Sequence, residues 1–339
     1  MTNKEIKNWI KAMVLILAIP FLNSCDNGSD EELVGNWVKL SDFDGIPRTD
    51  AIGFSIGSKG YIGTGYDGTD RKSDFWEYDP VKNAWTQKAD VPGIARNGAI
   101  GFGTDTKGYV GTGFDGKNKL KDFYEFDPAS NTWTQKADFG GSARYGAIAM
   151  TLNNKGYVGS GYDVSFLKDF WEYDPATDTW TQKTSIGGSK RRDAACFTIA
   201  GKGYVMTGMD NGEYLSDMWE YDPNADLWTK KRSIANVTDE TFDDKYTSIA
   251  GTGKVGLSIG GKGYLATGGQ TTGIETWEYD PAQDLWSEKT SFEGSTRTSA
   301  VGFVLNNRGY IATGSGSSSS YYFDDIWGFD PNATFNKYD

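Results

Sequence analysis

Six copies of one short motif recur along the 339-residue chain, and their spacing restricts its architecture more than any other feature. They are Lys59-Gly60-Tyr61, Lys107-Gly108-Tyr109, Lys155-Gly156-Tyr157, Lys202-Gly203-Tyr204, Lys262-Gly263-Tyr264 and Arg308-Gly309-Tyr310, separated by 48, 48, 47, 60 and 46 residues. A near-constant period of this length implies a stacked or radial array, in which each unit buries its faces against its neighbours. Behind each Tyr come a Gly-rich stretch, a polar loop and a motif such as Trp76-Glu77-Tyr78-Asp79-Pro80.

Each unit reads as four short antiparallel strands. In the second copy Gly98 to Phe102 is small and apolar, Gly108 to Gly113 is flanked by Gly, Phe123 to Phe126 is aromatic, and Trp133 to Lys136 is polar-aromatic. All four runs have strand length, and no 3.6-residue apolar period competes with them, so helices are expected to be almost absent. Asp127-Pro128 between the third and fourth runs presets a hairpin turn.

With these residues the chain resembles the kelch family of β-propellers, whose repeat is about 50 residues long. The Gly-His and Trp-Asp marks of WD40 repeats are missing. The resemblance implies an all-β fold: a six-bladed kelch-type β-propeller with four antiparallel strands per blade. Closure is expected from the chain ends. Trp85, Trp133, Trp180, Trp228 and Trp286 each follow an Asp-Pro by five residues, but after Pro331 that position is Asn336. An orphan Trp37-Val38-Lys39-Leu40 precedes the first copy, so the N-terminal strand is expected to complete the last blade. Residues 35–339 then form one domain without exposed sheet edges.

The first residues point to a membrane anchor. Lys4, Lys7 and Lys11 precede an apolar run, Ala12 to Leu22, that is too short to span a bilayer and suits a signal peptide over 1–24. Leu22-Asn23-Ser24-Cys25 resembles the lipobox of bacterial lipoproteins, which implies lipidation at Cys25 and an acidic tether over 25–34. The whole resembles kelch-repeat lipoproteins of Bacteroidetes type, implying an outer-membrane protein facing the cell exterior.

The chain has no His, which excludes Ser-His-Asp triads, His-bound zinc and the copper chemistry of galactose oxidases. No cofactor or metal is expected. Cys196 is expected to be an inert core thiol where Ile100 and Ile148 stand in other copies. Net charge is −12, becoming −14 once 1–24 is discarded, which argues against nucleic acid as a partner. A monomer is expected.

Arg48, Arg96, Arg144, Arg191 and Arg297 each lie 11 residues before the Lys/Arg-Gly-Tyr mark, with Gly251 in the fifth copy. They are expected at the mouth of the central channel, either offering planar forks to an anionic ligand or pairing with loop Asp residues. Tyr66, Phe114, Tyr162 and Tyr214 fall on loops of the same face and suit sugar or peptide contact. The 60-residue interval places extra residues near Val237 to Thr252, with 239–246 expected as a wall of this site. The repeated Glu77 and Lys88 and their counterparts are expected to form cross-strand ion pairs on the outer rim. Two readings follow: a non-catalytic propeller binding an extracellular glycan or protein, and a metal-independent mutarotase or epimerase similar to the kelch sialic acid mutarotases.

Overall fold

A computed structural model describes residues 33–268, 273–316 and 321–338. The segments expected as a signal peptide and as a tether lie outside the described residues up to position 32, Cys25 included. Leu33–Asp339 form one compact unit, built of six four-stranded antiparallel sheets. Blade one runs Ile52–Ile56, Lys59–Gly63, Phe75–Asp79 and Ala84–Lys88 from the axis outward. The second copy, read above from residue types, gives Ile100–Gly103, Gly108–Gly111, Phe123–Asp127 and Thr132–Gln135. The one helical turn among the described residues is a three-residue 3₁₀ segment, Thr241–Asp243.

Closure follows the chain ends. Asn36–Lys39 pairs with Ile326–Asp330 in the register Trp37↔Phe329, supplying the outermost strand of the sixth blade. Trp37 is fully buried; its ring stacks on Phe329 at 4.9 Å or less from both Phe292 and Phe329. Its indole N–H donates to Thr290 O at 3.3 Å.

The blades cohere through aromatic faces. Between blades one and two, Phe75 packs against Phe126 at 4.9 Å and Trp133 at 5.0 Å, with Tyr61 stacked on Phe75 at 5.4 Å. Burial of such side chains contributes about 1.5–3 kcal/mol each, and the arrangement recurs around the ring at Phe123 with Tyr173 and at Phe170 with Tyr221. The repeated Glu residues accept a hydrogen bond from the buried Tyr, as in Tyr61 Oη to Glu77 at 2.6 Å. Lys88 stands across the strand from Glu77 at 3.6 Å. The cross-strand pairing is as expected, but both members are less than one-fifth exposed, so the pairs sit between strands and do not decorate the rim.

Inner strands alternate strictly. Ile52, Phe54 and Ile56 point into the inter-blade core, while Gly53 and Ser55 line the axial channel. Glycine is required there by crowding: a Cβ on Gly103 would lie 1.9 Å from Ser55 O, and one on Gly256 2.2 Å from Cys196 O. Cys196 pairs with Val205 exactly as Gly101 pairs with Val110, which corrects its expected place. It occupies the channel-lining column of Gly53, Gly101 and Ala149, and Ala195 takes the core column of Ile100 and Ile148. Its thiol donates to Ala149 O at 3.3 Å, and burial pushes its pKa up to about 12.

Candidate functional site

Strand polarity gathers three sets of connections at one end of the channel. Each inner strand starts there, each second strand ends there, and the link from each outermost strand to the next blade returns there, as the bridges Thr49↔Tyr66, Tyr66↔Arg71 and Lys72↔Arg96 record.

The five repeated arginines do not open onto this end. Arg48, Arg96, Arg144, Arg191 and Arg297 are 0–1% exposed. The Arg48 fork donates to both oxygens of Asp74 at 2.5 and 2.7 Å, its Nη1 also to Thr64 O at 2.9 Å, and its Nε to Ile46 O at 2.8 Å. Arg96 with Asp122, Arg144 with Asp169 and Arg297 with Asp325 repeat the clamp, and Arg191 reaches both oxygens of Asp217 through Nη2. Burial opposes ionisation of Asp74 and Asp325, but the Arg bonds outweigh it and hold both carboxyls below their ordinary range. The expected ligand forks are therefore corrected to internal clamps, because every donor edge is spent on a carboxylate or carbonyl of the same blade.

Blade five solves the same problem differently. Gly251 stands in the Arg column, and Lys254, in the column otherwise held by Ala51, Ala99, Ala147, Ala194 and Ala300, donates to Thr267 O at 3.2 Å. Burial lowers its pKa to about 8, against the opposing charge of Glu275.

Immediately inside the clamps a collar of backbone closes on itself. Asp50 N donates to Ser299 O, Gly98 N to Asp50 O, Gly146 N to Gly98 O, Asp193 N to Gly146 O, Gly253 N to Asp193 O and Ser299 N to Gly253 O, at 2.9–3.2 Å. All six residues have φ between 51° and 64°. That left-handed conformation suits Gly98, Gly146 and Gly253, whereas Asp50, Asp193 and Ser299 hold it with side chains in place. Burial pushes both carboxyls up. Asp193 reaches about 6, helped by the charge of Asp50 and opposed by Arg192, whose Nη1 lies 3.0 Å from Asp193 Oδ2. Asp50 is raised by burial against hydrogen bonds from Ser299 and Asn97.

Outside the collar runs an arc of half-buried rings and cations. Tyr322 meets Tyr66 at 6.3 Å; Arg71 lies over Tyr66 at 5.2 Å and over Phe114 at 5.0 Å; Phe114 meets Tyr145 at 5.6 Å. Tyr145 meets Tyr162 at 5.7 Å, Tyr162 meets Phe166 at 5.3 Å, and Arg192 lies over Tyr145 and Phe166 at 5.8 and 5.9 Å. Tyr66, Phe114 and Tyr162 thus stand together as expected. Tyr214 sits further out, 39% exposed on the ribbon Met209–Asp210 with Glu213–Tyr214, and makes no ring contact among the described residues. Asp67, Asp115 and Asp163 are turn anchors: Asp67 Oδ1 accepts from Thr69 N at 2.8 Å and Asp70 N at 2.6 Å, and Asp115 Oδ1 from Lys117 N at 2.7 Å and Asn118 N at 2.6 Å.

Sequence reasoning missed Asp50, Arg71, Asn97, Tyr145, Arg192 and Asp193. For all of these but Arg71, which stands on the loop between the second and third strands of blade one, the signal was present in the two positions after each clamp Arg, where the copies read Thr49-Asp50, Asn97-Gly98, Tyr145-Gly146, Arg192-Asp193 and Thr298-Ser299. Positions that vary on a backbone that repeats carry the individuality of the molecule.

The insertion is not a wall of this site. Tyr246 and Ile249 are buried in the core beside Ile234, Trp277 and Trp286. Tyr246 Oη donates to Trp286 O at 3.0 Å and accepts from Trp286 N at 2.7 Å, covering backbone groups of an outermost strand. Asp243 accepts from Val237 N and Thr238 N at 3.0 Å, and Phe242 lies under Arg232 at 4.5 Å. The segment packs where it was expected to line.

Comparison with known proteins agrees with this architecture. Residues 190–233, spanning Arg191, Tyr204 and Trp228, match the Kelch motif. The solved structure of YjhT superposes with a TM-score of 0.70 at 17% identity, covering 85% of this chain and 95% of its own. No curated protein matches the sequence significantly. At that identity the likeness speaks for fold alone. The chain is a six-bladed propeller of four-stranded antiparallel blades carrying a Kelch motif.

Proposed function

We propose that this chain is a non-catalytic binding propeller, anchored through lipid at Cys25 to the outer membrane and facing the cell exterior, which takes a glycan or protein ligand on its collar face. One observation carries the reading: the backbone of that face repeats blade by blade, while its side chains diverge into the half-buried arc of Tyr66, Phe114, Tyr145 and Tyr162 with Arg71 and Arg192. Aromatic faces beside polar groups bind sugar rings and peptide side chains, and a rigid scaffold spares them ordering costs. The polarity of Asn36–Lys39 supports the anchored arrangement, because Leu33–Gly35 join the propeller at the end of the strands opposite the collar. A tether attached there leaves the arc unobstructed.

A glycan array tests the binding. Hits lost on Tyr145→Ala and Tyr162→Ala, with thermal unfolding unchanged, support it; hits indifferent to both place the ligand elsewhere. Metabolic labelling with a palmitate analogue, abolished by Cys25→Ala, tests the anchor, and protease shaving of intact cells tests its exposure.

The second reading, a metal-independent sugar mutarotase similar to the kelch sialic acid mutarotases, is favoured by Asp50 and Asp193. They are carboxylates without counterparts in the other blades, and the Asp193 pKa of about 6 suits a general acid/base. Anomeric-exchange NMR on any hit separates the readings. Exchange accelerated by the protein and abolished by Asp193→Asn selects the enzyme.

A further inference from the structure

Arg71 is the cation of the arc whose guanidinium remains open. Its Nε donates to Asn97 Oδ1 at 2.8 Å and to Phe114 O at 3.2 Å. Its Cζ lies over the rings of Tyr66 and Phe114 at 5.2 and 5.0 Å, and Nη1 rests over the 115–118 turn, where a Cβ on Gly116 would lie 2.6 Å from it. Among the described residues neither Nη atom has a hydrogen-bond partner and no carboxylate lies within 4.0 Å, the Asp115 carboxylate of the turn beneath feeling the Arg71 charge only at longer range. Arg192 differs, being paired with Asp193 and directed at Met209 Sδ at 3.7 Å. The five clamp arginines differ still more, being buried and saturated.

A guanidinium fixed by its Nε edge and flanked by two aromatic rings has lost much of its rotamer freedom before any ligand arrives. Its Nη edge retains the geometry that receives a carboxylate through two parallel bonds. We infer, resting on the glycan reading above, that Arg71 is the specificity residue of the collar face and that it selects a saccharide bearing a carboxylate, whose ring lies against the neighbouring arc. The ligand acid contacts both Nη atoms of Arg71, and a pyranose face stacks on Phe114 or Tyr145.

The methyl glycosides of glucuronic acid and glucose are the probes, with dissociation constants read by calorimetry or ligand-observed NMR on the whole propeller. The glucuronide is expected to bind at least tenfold tighter than the glucoside, with the difference shrinking as salt rises. Arg71→Gln should erase the preference, and Arg71→Lys, which keeps charge without the fork, should restore only a minor part of it. Equal binding of the two glycosides, an undiminished preference in Arg71→Gln, or binding of neither overturns the inference. If Tyr145→Ala abolishes binding while Arg71→Gln is silent, the collar face keeps its role and Arg71 loses its own. An Asp/Glu-rich peptide that binds through Arg71 where the glucuronide fails assigns the fork to a protein ligand, and the saccharide assignment falls.

Discussion

The clamps, such as Arg144, and the collar positions that follow them, such as Arg192-Asp193 after Arg191, are adjacent in the chain in five of the six blades, yet they follow opposite rules. The clamp is built alike in five blades: all three guanidinium nitrogens are engaged by one carboxylate and two backbone carbonyls, as at Arg144. The collar and arc keep their backbone and change their side chains, so Gly146 in one copy is Asp193 in the next, and Tyr145 becomes Arg192. Repetition marks what the fold needs, and variation upon a fixed backbone marks what a ligand can read.

Stability should therefore divide between the two regions. Arg144→Met leaves Asp169 in a largely enclosed site without its partner, and about 3 kcal/mol of unfolding free energy should be lost. Tyr145→Ala, one residue on, should cost under about 1 kcal/mol, since its ring is half-exposed. Denaturant midpoints for the two variants check this directly, and equal losses would erase the distinction between clamp and arc.

The insertion sharpens the comparison, because it was expected on the variable side and belongs to the packed side. Tyr246→Ala removes a buried ring and two hydrogen bonds to Trp286, with an expected cost of about 3 kcal/mol. Deleting 239–246 should lower the unfolding temperature sharply while any ligand affinity of the folded protein is retained. A deletion that leaves melting untouched would return the segment to the surface.

How far sequence reading reached follows from the same division. Six-fold recurrence made blade count, strand order and closure by Trp37 legible, because each copy is an independent reading of one structure. The arginine column was also legible, but its direction was not. Whether Arg48 faces the channel or Asp74 depends on a partner 26 residues away, and no local pattern carries that. Cys196 shows how small an error suffices: a one-residue offset from Ala195 turns a strand position from core to channel. The insertion misled because its acidic residues outnumber Tyr246 and Ile249, which decide its burial.

The channel placement of Cys196 has its own consequence. A thiol with its pKa pushed up to about 12, hydrogen-bonded to Ala149 O within a ring of small residues, holds almost no thiolate at neutral pH. With Cys25 replaced by Ser, maleimide labelling of the native chain should proceed at under roughly a hundredth of the rate in denaturant. Comparable rates would mean that the collar and inner strands admit reagents that the close backbone packing should exclude.

The smallest effect is the most specific to the variable face. Asp193 titrates at about 6 against an ordinary 3.8, chiefly because burial disfavours its charge, with Arg192 opposing and Asp50 adding to the rise. A carboxyl whose folded pKa is raised favours folding while protonated. Its contribution is complete below pH about 4 and is lost as pH climbs through about 6. Carbon-detected NMR of the Asp193 side chain should therefore give a midpoint near 6, and stability should fall as pH rises across the same interval. The neighbours set the sign of every further change: Asp50→Asn removes a like charge and should move the midpoint down, whereas Arg192→Gln removes the opposing cation and should move it up. Asn97 and Ser299, which hydrogen-bond Asp50, carry no charge and should leave the Asp193 midpoint nearly in place when replaced. A midpoint near 4 that ignores both charged variants would mean Asp193 is solvated like any surface carboxylate, and the collar would then differ from the outer loops in shape alone.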